Sequence, residues 1–145
     1  MTRDRDADGR ARQQRPRDAL GRPLPYDSVG VPPVPEDPLP PRQTIALARE
    51  LVGQGRPFGA HEVLEARWKA CPAAERPLWQ GLAQLCVALT HTKRGNREGA
   101  QRLWERGSAN LEASAHEGGP TYGLDLSAVL DCAGRLVHEG PRDAG

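Results

Sequence analysis

Nine of the fourteen prolines in this 145-residue chain fall between Pro16 and Pro41. Proline lacks a backbone N–H and clashes with the preceding helical turn, and it cannot donate to a sheet ladder. The stretch "PLPYDSVGVPPVPEDPLPP" therefore cannot run as a helix, and it has no strand-like alternation. Residues 1–41 are expected to form a disordered or extended arm, with Tyr26, Val29 and Val31 as the residues that would drape it on the domain. Folding is left to residues 42–138, followed by a frayed tail over 139–145.

The foldable part carries helical periodicity throughout. The first helix is expected over about 42–54, where Ile45, Ala48, Leu51 and Val52 recur at helical spacing. "GQGRP" ends it, and Pro57 suits the first turn of a second helix over about 57–70. Pro72 forces a boundary before the third and most apolar helix, about 74–93. The fourth follows "KRGN" over about 96–114, with Asn96 as its N-cap. The fifth runs about 125–138, capped by Asp125 and buried through Leu126, Val129, Leu130, Ala133 and Val137. Short connections make sequential helices antiparallel neighbours. The fold class is therefore all-α: an antiparallel bundle of four core helices plus a C-terminal helix, preceded by the Pro-rich arm.

Several partner classes are set aside on composition. A net charge of +1 demands neither nucleic acid nor an acidic membrane. The seven Arg and four Asp of the first 22 residues read as a solvated arm rather than a nucleic-acid contact. No apolar run approaches 18 residues, and "MTRDRDADGR" has no apolar secretory core. Cys71, Cys86 and Cys132 form no C-x-x-C pair and fit reduced, mostly buried thiols of a cytoplasmic protein. A homo-oligomer is compatible with this pattern.

The second helix contains "GAHEVLEARW", which opens like the H-E-x-x-H zinc motif but has Glu65 where the second His belongs. At about 100° per residue, His61 and Glu65 share a face with Phe58, Leu64 and Trp68. They are expected inside the apolar stripe, with Val63 and Arg67 on the far side and Glu62 at the border. On the third helix Gln80, Gln84 and His91 form one narrow polar stripe on an otherwise apolar surface. Buried polar groups need partners, so the two stripes are expected to meet in a cluster of His61, Glu65, Gln80, Gln84 and His91. Trp68 and Trp104 read as core fillers, Cys86 as a core thiol, and His116 and His138 as solvated. Gly81 and Gly107 mark close helix approach.

"FGAHEVLEARW" and "LWQGLAQLCVALTHTKRGNREGAQRLWERGSANL" resemble the bacterial and archaeal domain of unknown function 309 family. Its signature pieces, H-x-x-x-E-x-x-W, Q-G-x-x-Q and G-A-x-x-L, fall on His61, Glu65 and Trp68, on Gln80, Gly81 and Gln84, and on Gly99, Ala100 and Leu103. The resemblance covers about residues 43–112. It implies an all-helical fold and a metal bound by the His and Glu, but no activity. Glu62 is not part of it.

The leading functional reading is thus a small domain with a polar site at the seam of helices two and three, formed by His61, Glu65, Gln84 and His91 and supported by Trp68, Gln80 and Asn96. That site holds a divalent metal, or a hydrogen-bonded network that fixes helix register, or an acid–base pair working on a small molecule. The zinc-protease reading is the weakest, because no third ligand has a motif spacing. The alternative from another class is a helical interaction or scaffold module, with a purely structural polar cluster and a working surface elsewhere.

Overall fold

The computed structural model describes residues 32–139 and, within the arm, the antiparallel two-residue strands β1 (Asp4–Arg5) and β2 (Ala11–Arg12). A ladder that short has no independent stability and builds no core. Tyr26, Val29, Val31 and the tail beyond Glu139 lie outside the described residues. The fold is an all-α bundle of α1 (Pro41–Gly53), α2 (Pro57–Ala70), α3 (Arg76–Lys93), α4 (Arg97–Glu117) and α5 (Leu126–Glu139). A single 3₁₀ turn, Ala73–Glu75, leads into α3.

The boundaries follow local chemistry. Proline opens α1, α2 and α3 within their first two positions, where its missing N–H has no helical acceptor anyway. The Asn96 side chain accepts a hydrogen bond from the Gly99 N–H at 2.9 Å and starts α4. Helix α4 runs three residues past the expected end, because "SAHE" contains no breaker. It stops at Gly118, whose φ of 70° is the left-handed turn that glycine adopts without a Cβ penalty. Asp125 caps α5 by accepting from the Ala128 N–H at 3.1 Å.

Helix α3 is the axis of the bundle. Leu78, Trp79, Leu82, Ala83, Leu85, Cys86 and Ala88 are all buried on it. Helices α2 and α4 flank it, α1 packs on α2, and α5 lies across the outer side of α3 and α4. At the α3–α4 crossing a Cβ on Gly81 would sit 3.0 Å from the Gly107 carbonyl oxygen, and a Cβ on Gly107 would sit 3.0 Å from that of Gly81. The two glycines let the backbones meet. No helix among the described residues is long and apolar enough to cross a membrane.

The end of the arm is part of this packing. Val34 and Leu39 pack against the core. The Arg56 guanidinium donates to the Pro32 carbonyl, and Arg67 Nη1 donates to the Leu39 carbonyl at 3.2 Å.

Candidate functional site

The covered face of α2 is not the one its residue pattern implies. Pro57, Gly59, Ala60, Val63 and Leu64 are the buried residues of α2, so the buried stripe is turned by roughly 130° from the His61–Glu65 line. Val63, expected on the far side, is in the core, and Arg67 is half-buried. The cause is tertiary. Residues 34–39 and α1 cover this side, Val34 lies 3.3 Å from where a Gly59 Cβ would be, and Arg67 lays its stem along the surface to reach Leu39. His61 and Glu65 are left at the border.

There they form a ladder along one helix. His61 Nε2–H donates to Glu65 Oε2 at 2.9 Å, and Lys69 Nζ reaches Glu65 Oε1 at 3.2 Å. The Phe58 ring lies 5.3 Å from the imidazole, centre to centre. Burial lowers the His61 pKa below its ordinary 6.5; the Glu65 charge opposes that shift and Lys69 reinforces it. The imidazole is therefore neutral at physiological pH with its proton on Nε2, and Nδ1 is left as an acceptor. Nδ1 is buried with no hydrogen-bond partner, as is Trp68 Nε1 on the same flank. Each such orphan costs about 1–3 kcal/mol.

The five polar residues do not assemble as one cluster. Gln84 Oε1 accepts from Asn110 Nδ2 of α4 at 2.7 Å. His91 Nδ1 accepts from Asn96 Nδ2 at 3.2 Å, and burial together with the Arg94 and Arg102 charges lowers its pKa. No hydrogen bond among the described residues joins His61 or Glu65 to Gln80, Gln84 or His91. The physical reason is the glycine crossing. It brings α4 onto the side of α3 that holds Gln84 and His91, so α4 and the α3–α4 turn supply their partners. Among the described residues no group of three or more His, Cys, Asp and Glu could hold a metal.

The other expectations divide. Cys86 is a core thiol, with burial pushing its pKa up to about 12, but Cys71 is half-buried and Cys132 exposed, so the three thiols are not mostly buried as expected. His116 is exposed but lies in the last turn of α4 rather than in the following loop. His138, expected to be solvated, is exposed yet engaged: Nδ1 lies 2.9 Å from the Gly134 carbonyl, Nε2 lies 3.0 Å from Gln101 Oε1, and the ring meets Trp104 edge-on.

A second feature has no counterpart in the motif reading. Between α1 and α5, over α3, lies an apolar groove of about 460 Å³. Leu82, Leu85 and Leu89 form its floor, Ile45 and Val52 one wall, and Val129 the other. The stripes of α1 and α5 were legible as core. They line opposite sides of the groove over α3, and α5 buries only Leu126 and Ala133 fully. Arg49, Asp125 and Cys132 also line the groove and had no motif to mark them.

The His61 border gives a pH prediction. A base whose folded pKa is lowered leaves the unfolded chain binding more protons, so acid favours unfolding. The stability His61 contributes as a neutral group is complete above 6.5 and is lost as pH falls from there through the lower folded value. Urea midpoints at pH 7.5 and 5 are expected to differ less in His61→Gln than in the wild type. Equal differences would mean that the ring is not held neutral by burial.

Comparison with known proteins meets this geometry in one segment. Residues 45–103 match the family model described as domain of unknown function (DUF309). A relative, "Uncharacterized protein YpuF" of Bacillus subtilis (strain 168), is 40% identical over 75 residues, which cover 51% of this chain and 42% of that protein. The chain thus spans less than half the length of that relative. No solved structure matches. The wall that α5 gives to the groove lies beyond the matched segment, whereas His61, Glu65, Trp68, Gln80 and Gln84 lie within it. From α1 into the start of α4, the part that builds the polar border of α2, this chain resembles the DUF309 family.

Proposed function

We propose that this chain is a helical binding module whose working surface is the apolar groove between α1 and α5. The observation that supports this reading is the groove itself. Its volume of about 460 Å³ lies in the range of roughly 300–1,000 Å³ usual for ligand sites, and its lining is apolar with few polar groups, as such sites are. Covering apolar surface is favourable by about 25 cal/mol per Å², so a groove left open by loosely seated α5 gains from an occupant. In this reading the His61–Glu65 ladder holds α2 in place and does no chemistry.

A neutral apolar dye, N-phenyl-1-naphthylamine, tests it. Its fluorescence is expected to rise on binding. Either Ala128→Trp, at an exposed position on the groove wall, or N-ethylmaleimide on exposed Cys132 is expected to suppress the rise. A rise untouched by both, or no rise at all, counts against the groove.

A divalent cation at the α2 border is the second reading, favoured by one distance. The 2.9 Å between His61 Nε2 and Glu65 Oε2 matches two ligands, each about 2.1 Å from an ion, at a right angle to one another. The donor set otherwise does not fit a resident metal. Two side chains are too few, Gln84 and His91 are bonded elsewhere, and a metal-bound Nε2 would leave the Nδ1–H without its usual acceptor. A melting-temperature rise with Mn²⁺ or Zn²⁺ that disappears in both His61→Ala and Glu65→Ala would reverse this judgement.

A further inference from the structure

From the polar groups at the groove we infer its ligand class: a single-chain amphiphile with an anionic head, its chain on the α3 floor and its head at Arg49. The inference rests on the groove being the working surface. Arg49 lies on α1 between Ile45 and Val52, lines the groove and is exposed. Among the described residues no hydrogen bond or ion pair engages its guanidinium. The one acid that lines the groove, Asp125, already has a role, since its carboxylate accepts the Ala128 N–H and caps α5. Arg49 is thus the charged side chain at this apolar slot that makes no hydrogen bond among the described residues, and its five N–H donors form a fork that fits a carboxylate or phosphate head. A neutral chain would leave that fork unused, and a cationic head would be repelled by it. The floor of Leu82, Leu85 and Leu89 offers no polar group along its length, as an unbranched alkyl chain requires.

Displacement of N-phenyl-1-naphthylamine by dodecanoate, dodecanol and dodecyltrimethylammonium separates the possibilities. Dodecanoate is expected to displace the dye best. Arg49→Gln is expected to weaken dodecanoate by about 1.4-fold to fivefold, the range of an exposed ion pair, while leaving dodecanol unchanged. Arg49→Glu is expected to weaken it further, and added salt to narrow the wild-type preference. Dodecanoate is also expected to slow alkylation of Cys132. If the dye binds but dodecanol or the ammonium competes as well as dodecanoate, the anionic assignment is overturned while the groove stands. If the dye does not bind, the groove reading itself fails. A concentration-dependent dimer that Ala128→Trp abolishes would overturn the assignment by showing that a second copy fills the groove.

Discussion

Trp79→Ala is expected to lower the free energy of unfolding by about 3–5 kcal/mol, the largest single effect in this chain. Trp79 is the largest side chain with no exposed surface. Its indole N–H donates to Glu75 Oε1 at 3.1 Å, and its ring stacks on Tyr122 with centres 5.9 Å apart. Glu75 also hydrogen-bonds the Tyr122 side chain, which pushes the phenol pKa up. One residue thus ties the turn before α3 to the loop before α5. Truncation opens a cavity at that junction and strips the Glu75 carboxylate of a donor. Against a typical domain stability of about 5–15 kcal/mol, the variant is expected to be partly unfolded at 37 °C. Trp79→Phe keeps most of the bulk and loses the N–H, so it is expected to cost less, about 1.5–3 kcal/mol. Chemical denaturation followed by circular dichroism measures both. A loss below 1 kcal/mol for the alanine variant would contradict this account of the core.

Gly81→Val is expected to cost about 3 kcal/mol, and Gly81→Ala less, through overpacking. Two terms compete at this position. Replacing a mid-helix glycine by alanine gains about 1 kcal/mol of helix propensity. A Cβ there, however, would lie 2.9 Å from Leu111 Cγ and Cδ2 and 3.0 Å from the Gly107 carbonyl oxygen. Leu111 is fully buried, and a backbone carbonyl in a helix cannot move alone. Steric repulsion therefore wins, and α3 and α4 are forced apart. Gly53, in α1 with nothing within 4 Å of where its Cβ would stand, is the control: Gly53→Ala is expected to be neutral or to stabilise by about 0.4–1 kcal/mol. Equal effects at the two glycines would refute the close crossing.

The polar residues show where reading from sequence stops. A helical wheel gives angles within one helix, and by angle alone His61 and Glu65 share a face with Leu64 and Trp68. Which face is covered depends on neighbours. Val34 and Leu39 come from the Pro-rich stretch, whose composition says nothing about where it lies, and they turn the buried side toward Val63. The Gln80–Gln84–His91 stripe was legible as polar, but its partners were not. Asn110 and Asn96 reach Gln84 and His91 because two glycines admit α4 to that side of α3. The glycines themselves were visible as points of close approach, since a mid-helix glycine carries a propensity cost that packing must repay.

The amino-acid sequence alone determined the five helices and most of their limits, the end of α4 and the start of α3 excepted. Proline at helix starts, Asn96 and Asp125 at caps, and apolar spacing are all interactions within a few residues, so they can be read locally. Only the tertiary structure decided which faces those helices bury. It left His61 Nδ1 and Trp68 Nε1 without partners, and it left the stripes of α1 and α5 facing α3 across an open groove. These outcomes depend on contacts between residues far apart in the chain. The same apolar stripe satisfies the hydrophobic effect against any neighbour that covers it, so the stripe alone does not name its partner.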